Sequence, residues 1–279
     1  MKFGIIADAH IGPPGARVWS FHRWYENTDT MVAYRLALRR CMQENVDALV
    51  LLGDISHSYH ETLEPGVRLA AETGLPVWAV SGNHDLIGQA EALDEAVQRV
   101  GADNVRLAAP EGEMVSGGLR IAGFSITNGD WGYIPRSGDR PDVSKWGDEP
   151  VLLISHYPII SFAEEVSGTG LMYGDDLEDL EEIARPLLER PEPIIVLSGH
   201  IHIRYACVVG KVLQISCPAL VEPPFEVTLL DIELEGERIA VRMESVPLVS
   251  SFPIRVSGLS PPRQKWVFET GAWRKDGYE

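Results

Sequence analysis

Five short, continuously apolar runs constrain this chain more than any other feature: Phe3 to Ala7, Ala48 to Leu52, Val77 to Val80, Val151 to Ile154 and Ile194 to Leu197. A run of β-branched and aliphatic residues without polar alternation fits a strand covered on both faces. Between the early runs lie helical stripes. Met31, Tyr34, Leu38, Cys41 and Met42 form one, and Ala92, Leu93, Ala96, Val97 and Val100 form another that stops at Gly101. The alternation is βαβ, which predicts the α/β class.

The second half changes character. Hairpin signals stand at Gly117-Gly118, Gly210-Lys211 and Glu235-Gly236, the last between the alternating sets Leu230, Ile232, Leu234 and Ile239, Val241, Met243. An acidic stretch from Asp175 to Glu189 carries Leu177, Leu180, Ala184, Leu187 and Leu188 at helical spacing, so its charge reads as the solvated face of an amphipathic helix that Pro186 should kink. From Pro247 the chain becomes rich in Pro, Ser and isolated aromatics (Phe252, Trp266, Phe268, Trp273). The expected organisation is one domain over 1–246 and an extension over 247–279 packed on it.

The chemistry lies where the buried strands end. Phe3 to Ala7 leads into Asp8-Ala9-His10, Leu49 to Leu52 into Gly53-Asp54, Val77 to Ser81 into Gly82-Asn83-His84-Asp85, Val151 to Ser155 into His156, and Ile194 to Ser198 into Gly199-His200-Ile201-His202. In open α/β sheets the carboxyl edge is where loops converge on a ligand. Any one Asp-x-His at a strand end is most simply a turn; five such ends in one chain point to a metal site. If the strand conformation persists, Asp8/His10 and His200/His202, spaced i and i+2, project from one face and each pair grips one ion. Imidazole, carboxylate and amide donors without Cys suit Mn, Fe or Zn rather than a structural zinc or an iron–sulfur cluster.

The order D-x-H, G-D, G-N-H-D, H, G-H-x-H, from Asp8 to His202, resembles the calcineurin-like metallophosphoesterases. The resemblance implies a four-layer αββα sandwich of two mixed β-sheets with two divalent or transition-metal ions at one edge. By motif position Asp8, His10 and His202 would hold the first ion, Asn83, His156 and His200 the second, and Asp54 would bridge them. Two ions roughly 3.5 to 4 Å apart bind a phosphoryl oxygen, generate hydroxide from a shared water near neutral pH and stabilise in-line attack on phosphorus. The implied enzyme is a metal-dependent phosphoric ester hydrolase, with His84 as the catalytic histidine that donates a proton to the leaving oxygen or binds the phosphoryl group. The bland alternative makes His84 a cap of the helix that follows. Many relatives carry Asp three residues after the bridging Asp to orient that histidine, and this chain has His57; either Asp85 or a water takes over that task, or His84 is less well oriented. His156-Tyr157-Pro158 is similar to the H-x-P of the cyclic-nucleotide phosphodiesterase-like branch. The lack of D-R-G after Gly53-Asp54 and the presence of Asp85 count against the protein Ser/Thr phosphatases.

Two loops are candidates for specificity. Ile11 to Asn27 follows the ligand His10 directly and is longer than connections without function usually are. It supplies Arg17, Trp19, Arg23 and Trp24 as candidate substrate-binding residues, alongside Phe21, His22 and Tyr25. Ile126 to Asp148 contains Trp131, Tyr133, Arg136, Arg140 and Trp146. Aromatic faces with Arg can stack a base and hold a phosphate, or simply anchor the loops. His57 and His60 are expected at the rim.

Twenty-four Lys+Arg against 41 Asp+Glu give a net charge of -17, which repels phosphate backbones and anionic lipid. That favours a small phosphorylated metabolite or nucleotide as partner over nucleic acid or membrane. A nuclease of the double-strand-break repair type, sharing D-x-H-x-G at Asp8 to Gly12, is the rival reading, and a weak metal-binding scaffold is a third. Only Cys41, Cys207 and Cys217 are present, an odd and unclustered set that implies reduced thiols. A two-residue turn at Gly210-Lys211 would set Cys207 opposite Gln214, not Cys217. The N-terminus reaches Asp8 too soon for a secretory leader, so a cytoplasmic location is expected. The choice among monoester, diester, cyclic nucleotide and pyrophosphate stays open.

Overall fold

The computed structural model describes the chain except residues 20, 23–25, 88–89, 116, 129–134, 250–257 and 278–279, and except the side chains of 87, 90, 91, 128, 135 and 136. Strand β1 is Lys2–Ile6, β2 Ala48–Leu51, β3 Val77–Ala79 and β4 Val105–Leu107. These four run parallel, and α1 (Thr30–Gln43), α2 (His60–Ala71) and α3 (Ala92–Val100) make the crossovers. On the other side of β1 the long hairpin β11 (Glu226–Glu235) and β12 (Arg238–Pro247) continues antiparallel.

The second sheet is built from β5 (Glu113–Val115), β6 (Leu119–Gly123), β7 (Val151–Ile154), β8 (Ile194–Ser198), β9 (Tyr205–Val209) and β10 (Val212–Ser216). Its order is β9-β10-β8-β7-β6-β5, parallel at the centre and antiparallel at both edges. Cys207 pairs with Gln214 in the β9–β10 hairpin, the register expected from a turn at Gly210-Lys211.

The period of two explains why the central strands are apolar throughout. Phe3, Ile5, Ala48 and Val50 face Leu152, Ile154, Ile195 and Leu197 across the gap between the sheets. Ile6, Leu49, Leu51 and Val77 face the helices through Tyr34, Leu38, Cys41, Leu63 and Leu93. On the outer face of the second sheet Val151, Leu153, Ile194 and Val196 meet Ile183 and Leu187 of α4 (Leu180–Glu189), which carries Pro186 inside it. The layers are α/β/β/α. Met42 departs from its expected stripe: it is 49% exposed, and Ala37 takes the buried place beside Leu38 and Cys41.

Residues 263–275 are part of the sheet rather than a covering on it. Strands β13 (Arg263–Glu269) and β14 (Ala272–Lys275) extend the first sheet beyond β12. They bury Trp266, Phe268 and Trp273 between the sheets. The sheet order β14-β13-β12-β11-β1-β2-β3-β4 therefore places the carboxyl ends of β1, β2 and β3 beside those of β7 and β8 across the sandwich.

Candidate metal centre

The strands stop before the chemistry begins. Asp8, His10, Asp54, His200 and His202 have φ of 51°, 45°, 48°, 65° and 58°. Left-handed backbone costs an L-residue about 1 kcal/mol or more, so five such positions at one edge mark a site whose surroundings hold it in place. The expected i, i+2 projection from a continuing strand is therefore corrected. Left-handed backbone at each member breaks the pleat: Asp8 and His10 meet in one group with His202, whereas His200 turns to Asn83. The scaffold is a pair of chain segments bonded in register, with His10 N donating to Asp54 O at 2.8 Å and Ile11 N to Ile55 O at 2.8 Å. Gly53 and Gly82 permit the crossing: a Cβ on Gly53 would lie 2.6 Å from His156 Nδ1, and one on Gly82 2.2 Å from Asp54 Oδ1.

All seven expected donors come together. Asp8 Oδ1 stands 3.5 Å from His202 Nε2, which is 3.3 Å from His10 Nε2. Asn83 Oδ1 is 3.0 Å from His156 Nε2 and 3.1 Å from His200 Nδ1. Between these groups lies Asp54, whose Oδ2 is 3.5 Å from His10 Nε2 and 3.4 Å from His156 Nε2. Asp8 and Asp54 are 0% and 2% exposed. Among the described residues their ion-pair partners are histidines, not Lys or Arg. Buried carboxylates need a cation. The separations also fit one, since donors around an ion with bonds of about 2.05 Å stand ~3.3 Å apart in a tetrahedron. The groups Asp8, His10, His202 and Asp8, Asp54, His156 can each hold a metal ion.

Outer contacts fix the rings. His156 Nδ1 donates to Leu52 O at 2.7 Å, His202 Nδ1 faces Glu222 Oε1 at 3.3 Å, and His200 stacks on Tyr157 with centroids 3.7 Å apart. Such contacts set which nitrogen is free for a metal. Burial opposes charging everywhere here. At His10 and His200 it prevails and lowers both well below the usual range. At His156 Asp54 overcomes it, raising the ring to about 9, and at His202 Asp8 and Glu222 raise it to about 10.

His84 sits in a short turn, Asn83–Asp85, with no long helix directly after it to cap. Its N–H donates to Asp54 Oδ1 at 2.8 Å and its Nδ1 is 3.0 Å from Ser58 Oγ. Asp85 does not orient it. That carboxylate accepts from the amides of Ile55, Ser56 and Gly82 and serves the turn, and burial together with Asp54 pushes it up to about 7. Ser58 takes the orienting place, and His57 stacks on His84 at 4.9 Å with an 11° interplanar angle. His57 Nδ1 is also 2.9 Å from His10 Nδ1.

These groups open on a cavity of 330 Å³ whose wall includes Trp19, Phe21, Tyr157 and Asp175. Trp19 is therefore on the cavity wall. Arg17 is not on the wall; it is exposed and pairs with Glu26 at 3.3 Å. Arg23, Trp24, Tyr25, Trp131 and Tyr133 lie outside the described residues, as does the Arg136 side chain. From the second loop, Trp146 is an anchor, buried and donating to Pro110 O, while Arg140 pairs with Asp179 and Glu182. His60 begins α2 and is exposed, away from the cavity. Sequence reasoning missed Ser58, Tyr157 as a stacking partner and Glu222. Ser58 was within reach of it, standing next to the position already flagged at His57; Glu222 gave no signal.

The chain matches the calcineurin-like phosphoesterase family over residues 1–204, and it belongs to that family. It carries clusters of His and Asp that could hold a metal ion. Over 164 residues it is 29% identical to the DNA double-strand break repair protein Mre11 of Archaeoglobus fulgidus, covering 54% of this chain and 35% of that protein. The chain thus spans about a third of that relative's length. Its fold is similar to a Thermus thermophilus protein (TM-score 0.60, 13% identity, 89% of this chain and 99% of that one). It is also similar to a dimetal phosphatase from Danio rerio (TM-score 0.59, 15% identity, 89% and 96%). A third is a putative 5'-nucleotidase from Staphylococcus aureus (TM-score 0.54, 12% identity, 92% and 56%).

Proposed function

We propose that this chain hydrolyses the phosphate ester of a small metabolite or nucleotide, using two ions of Mn, Fe or Zn. Asp8, His10 and His202 hold the first ion, Asn83, His156 and His200 the second, and Asp54 is shared. Bound ions supply Lewis acidity at a phosphoryl oxygen and an ionised water near neutral pH. The chain's own contribution is a proton. As general acid the ring is an imidazolium, whose Nδ1–H donates to Ser58 Oγ and whose Nε2–H is left for the leaving oxygen. The observation that carries this reading is that His84 shares one cavity wall with Asp54, Asn83 and His200, so acid and metal donors address the same bound group.

The size of that cavity, and a described lining without Lys or Arg, favour a small ester over a polyanion. A nuclease is the second reading, favoured by the likeness to Mre11. The three cysteines are unpaired and, among the described residues, no helix is long and apolar enough to cross a membrane; we place the protein in the cytoplasm on the thiols. The test is a hydrolysis screen of Mn-loaded protein against monoesters, diesters, cyclic nucleotides and pyrophosphates, run beside salt-dependent DNA binding. Turnover of a small ester without DNA binding is expected; DNA cleavage with no small-ester turnover selects the nuclease. No turnover of any substrate by protein loaded with two ions returns the chain to a scaffold.

A further inference from the structure

Glu222 lies beyond the end of β10 and is 1% exposed. Its Oε1 accepts the backbone N–H of His22 at 2.9 Å and stands 3.3 Å from His202 Nδ1. On the other side of that imidazole, Nε2 stands 3.5 Å from Asp8 Oδ1 and 3.3 Å from His10 Nε2. A neutral imidazole carries one proton, and the partner of one nitrogen decides the state of the other. A carboxylate facing Nδ1 keeps a proton there, so the proton that an ion displaces is the one on Nε2, the nitrogen directed at Asp8 and His10. The same oxygen holds the segment that brings Phe21 to the cavity. His22 is tethered twice, by its N–H to Glu222 and by Nε2 donating to Ile201 O at 2.9 Å, and the Phe21 ring lies 5.7 Å from that of His202.

We infer that Glu222 is a positioning residue that fixes the tautomer of His202 for its ion and ties the aromatic wall of the cavity to the metal centre. The inference rests on the proposed role of His202 as a ligand. The carboxylate is two-handed: one buried oxygen serves a ring on the ion side and a backbone amide on the substrate side, so loss of the carboxylate loosens both.

The experiment measures binding of Co²⁺ alone, by equilibrium dialysis and by the visible absorption of the bound ion, in wild type, E222A, E222D and E222Q. Hydrogen exchange across the Phe21–His22 segment is the second readout. In E222A and E222D one of two ions binds about 10- to 100-fold more weakly, its absorption changes, and exchange at Phe21–His22 accelerates. E222Q keeps an oxygen that accepts both bonds and binds within a few-fold of wild type. Should E222A lose its cooperative melting transition, the contrast between E222D and E222Q decides. Wild-type affinities and spectra in E222A and E222D overturn the inference, and so does a loss in E222Q equal to that in E222A. A wild-type protein that binds no Co²⁺ instead overturns the underlying metal assignment, an outcome visible before any variant is compared.

Discussion

Ser58→Ala removes one atom from the structure's account of His84 and little else. Ser58 N still donates to His84 O at 3.2 Å, so the two turns stay joined through the backbone while the Oγ–Nδ1 contact of 3.0 Å is lost. One typical hydrogen bond is worth about 0.5 to 1.5 kcal/mol net, which is roughly a 2- to 13-fold change in rate if the whole bond acts in the transition state. The contact is exposed, so water replaces part of it and the expected loss sits at about 2- to 5-fold in kcat. Removing the ring itself, in His84→Ala, costs roughly 10²- to 10⁴-fold when the leaving group needs a proton. The assay compares an alkyl phosphodiester with bis-nitrophenyl phosphate, whose leaving group departs unaided. Both losses should shrink for the nitrophenyl ester, and the double variant should be no slower than His84→Ala, because Ser58 acts only through the ring. A Ser58→Ala loss that persists undiminished in the His84→Ala background refutes this chain of reasoning, as does full activity of Ser58→Ala on the alkyl ester.

Asp54→Asn should lower occupancy of both ions, since Oδ2 stands between His10 and His156; elemental analysis giving full occupancy in the variant removes Asp54 from the shared position. Trp19→Ala should raise KM for a base-bearing substrate by an amount worth about 1 to 3 kcal/mol while sparing bis-nitrophenyl phosphate, and unchanged constants for every nucleotide would make Trp19 a wall without a ligand. Asp179 gives a pH signature away from the site. Burial works to raise its carboxyl, yet donors from Ser137 N and Oγ and the charge of Arg140 hold it below the usual range. A depressed folded value means that its contribution is present above pH ~4 and is lost as pH falls through the folded value. The urea midpoints of wild type and Asp179→Asn should differ at pH 7 and draw together as pH falls below ~4; a gap that ignores pH contradicts this.

The central strands were legible because burial on both faces leaves a local mark. No polar residue interrupts Ala48–Leu51 or Val151–Ile154, and the turn at Gly210-Lys211 fixes the β9–β10 register by counting alone. The helix His60–Ala71 was not read, since Pro65 and Gly66 lie inside its apolar pattern. The strands of residues 263–275 were read as an extension, because pairing of β12 with β13 joins segments with many intervening residues and isolated aromatics carry no register.

At the site, the sequence by itself determined which side chains are offered to a metal, because each sits at the end of an apolar run and strand ends converge at one edge. Only the tertiary structure decided how they are presented. Left-handed backbone at five donors depends on segments held together across the sheet, not on any residue's own preference. The same holds for the outer contacts. Ser58 reaches His84 from a different strand end, and Glu222 reaches His202 and His22 from a turn beyond β10. A hydrogen bond between residues far apart in sequence leaves no periodicity and no spacing to read, so the residues that tune the centre become visible only once the two sheets have closed.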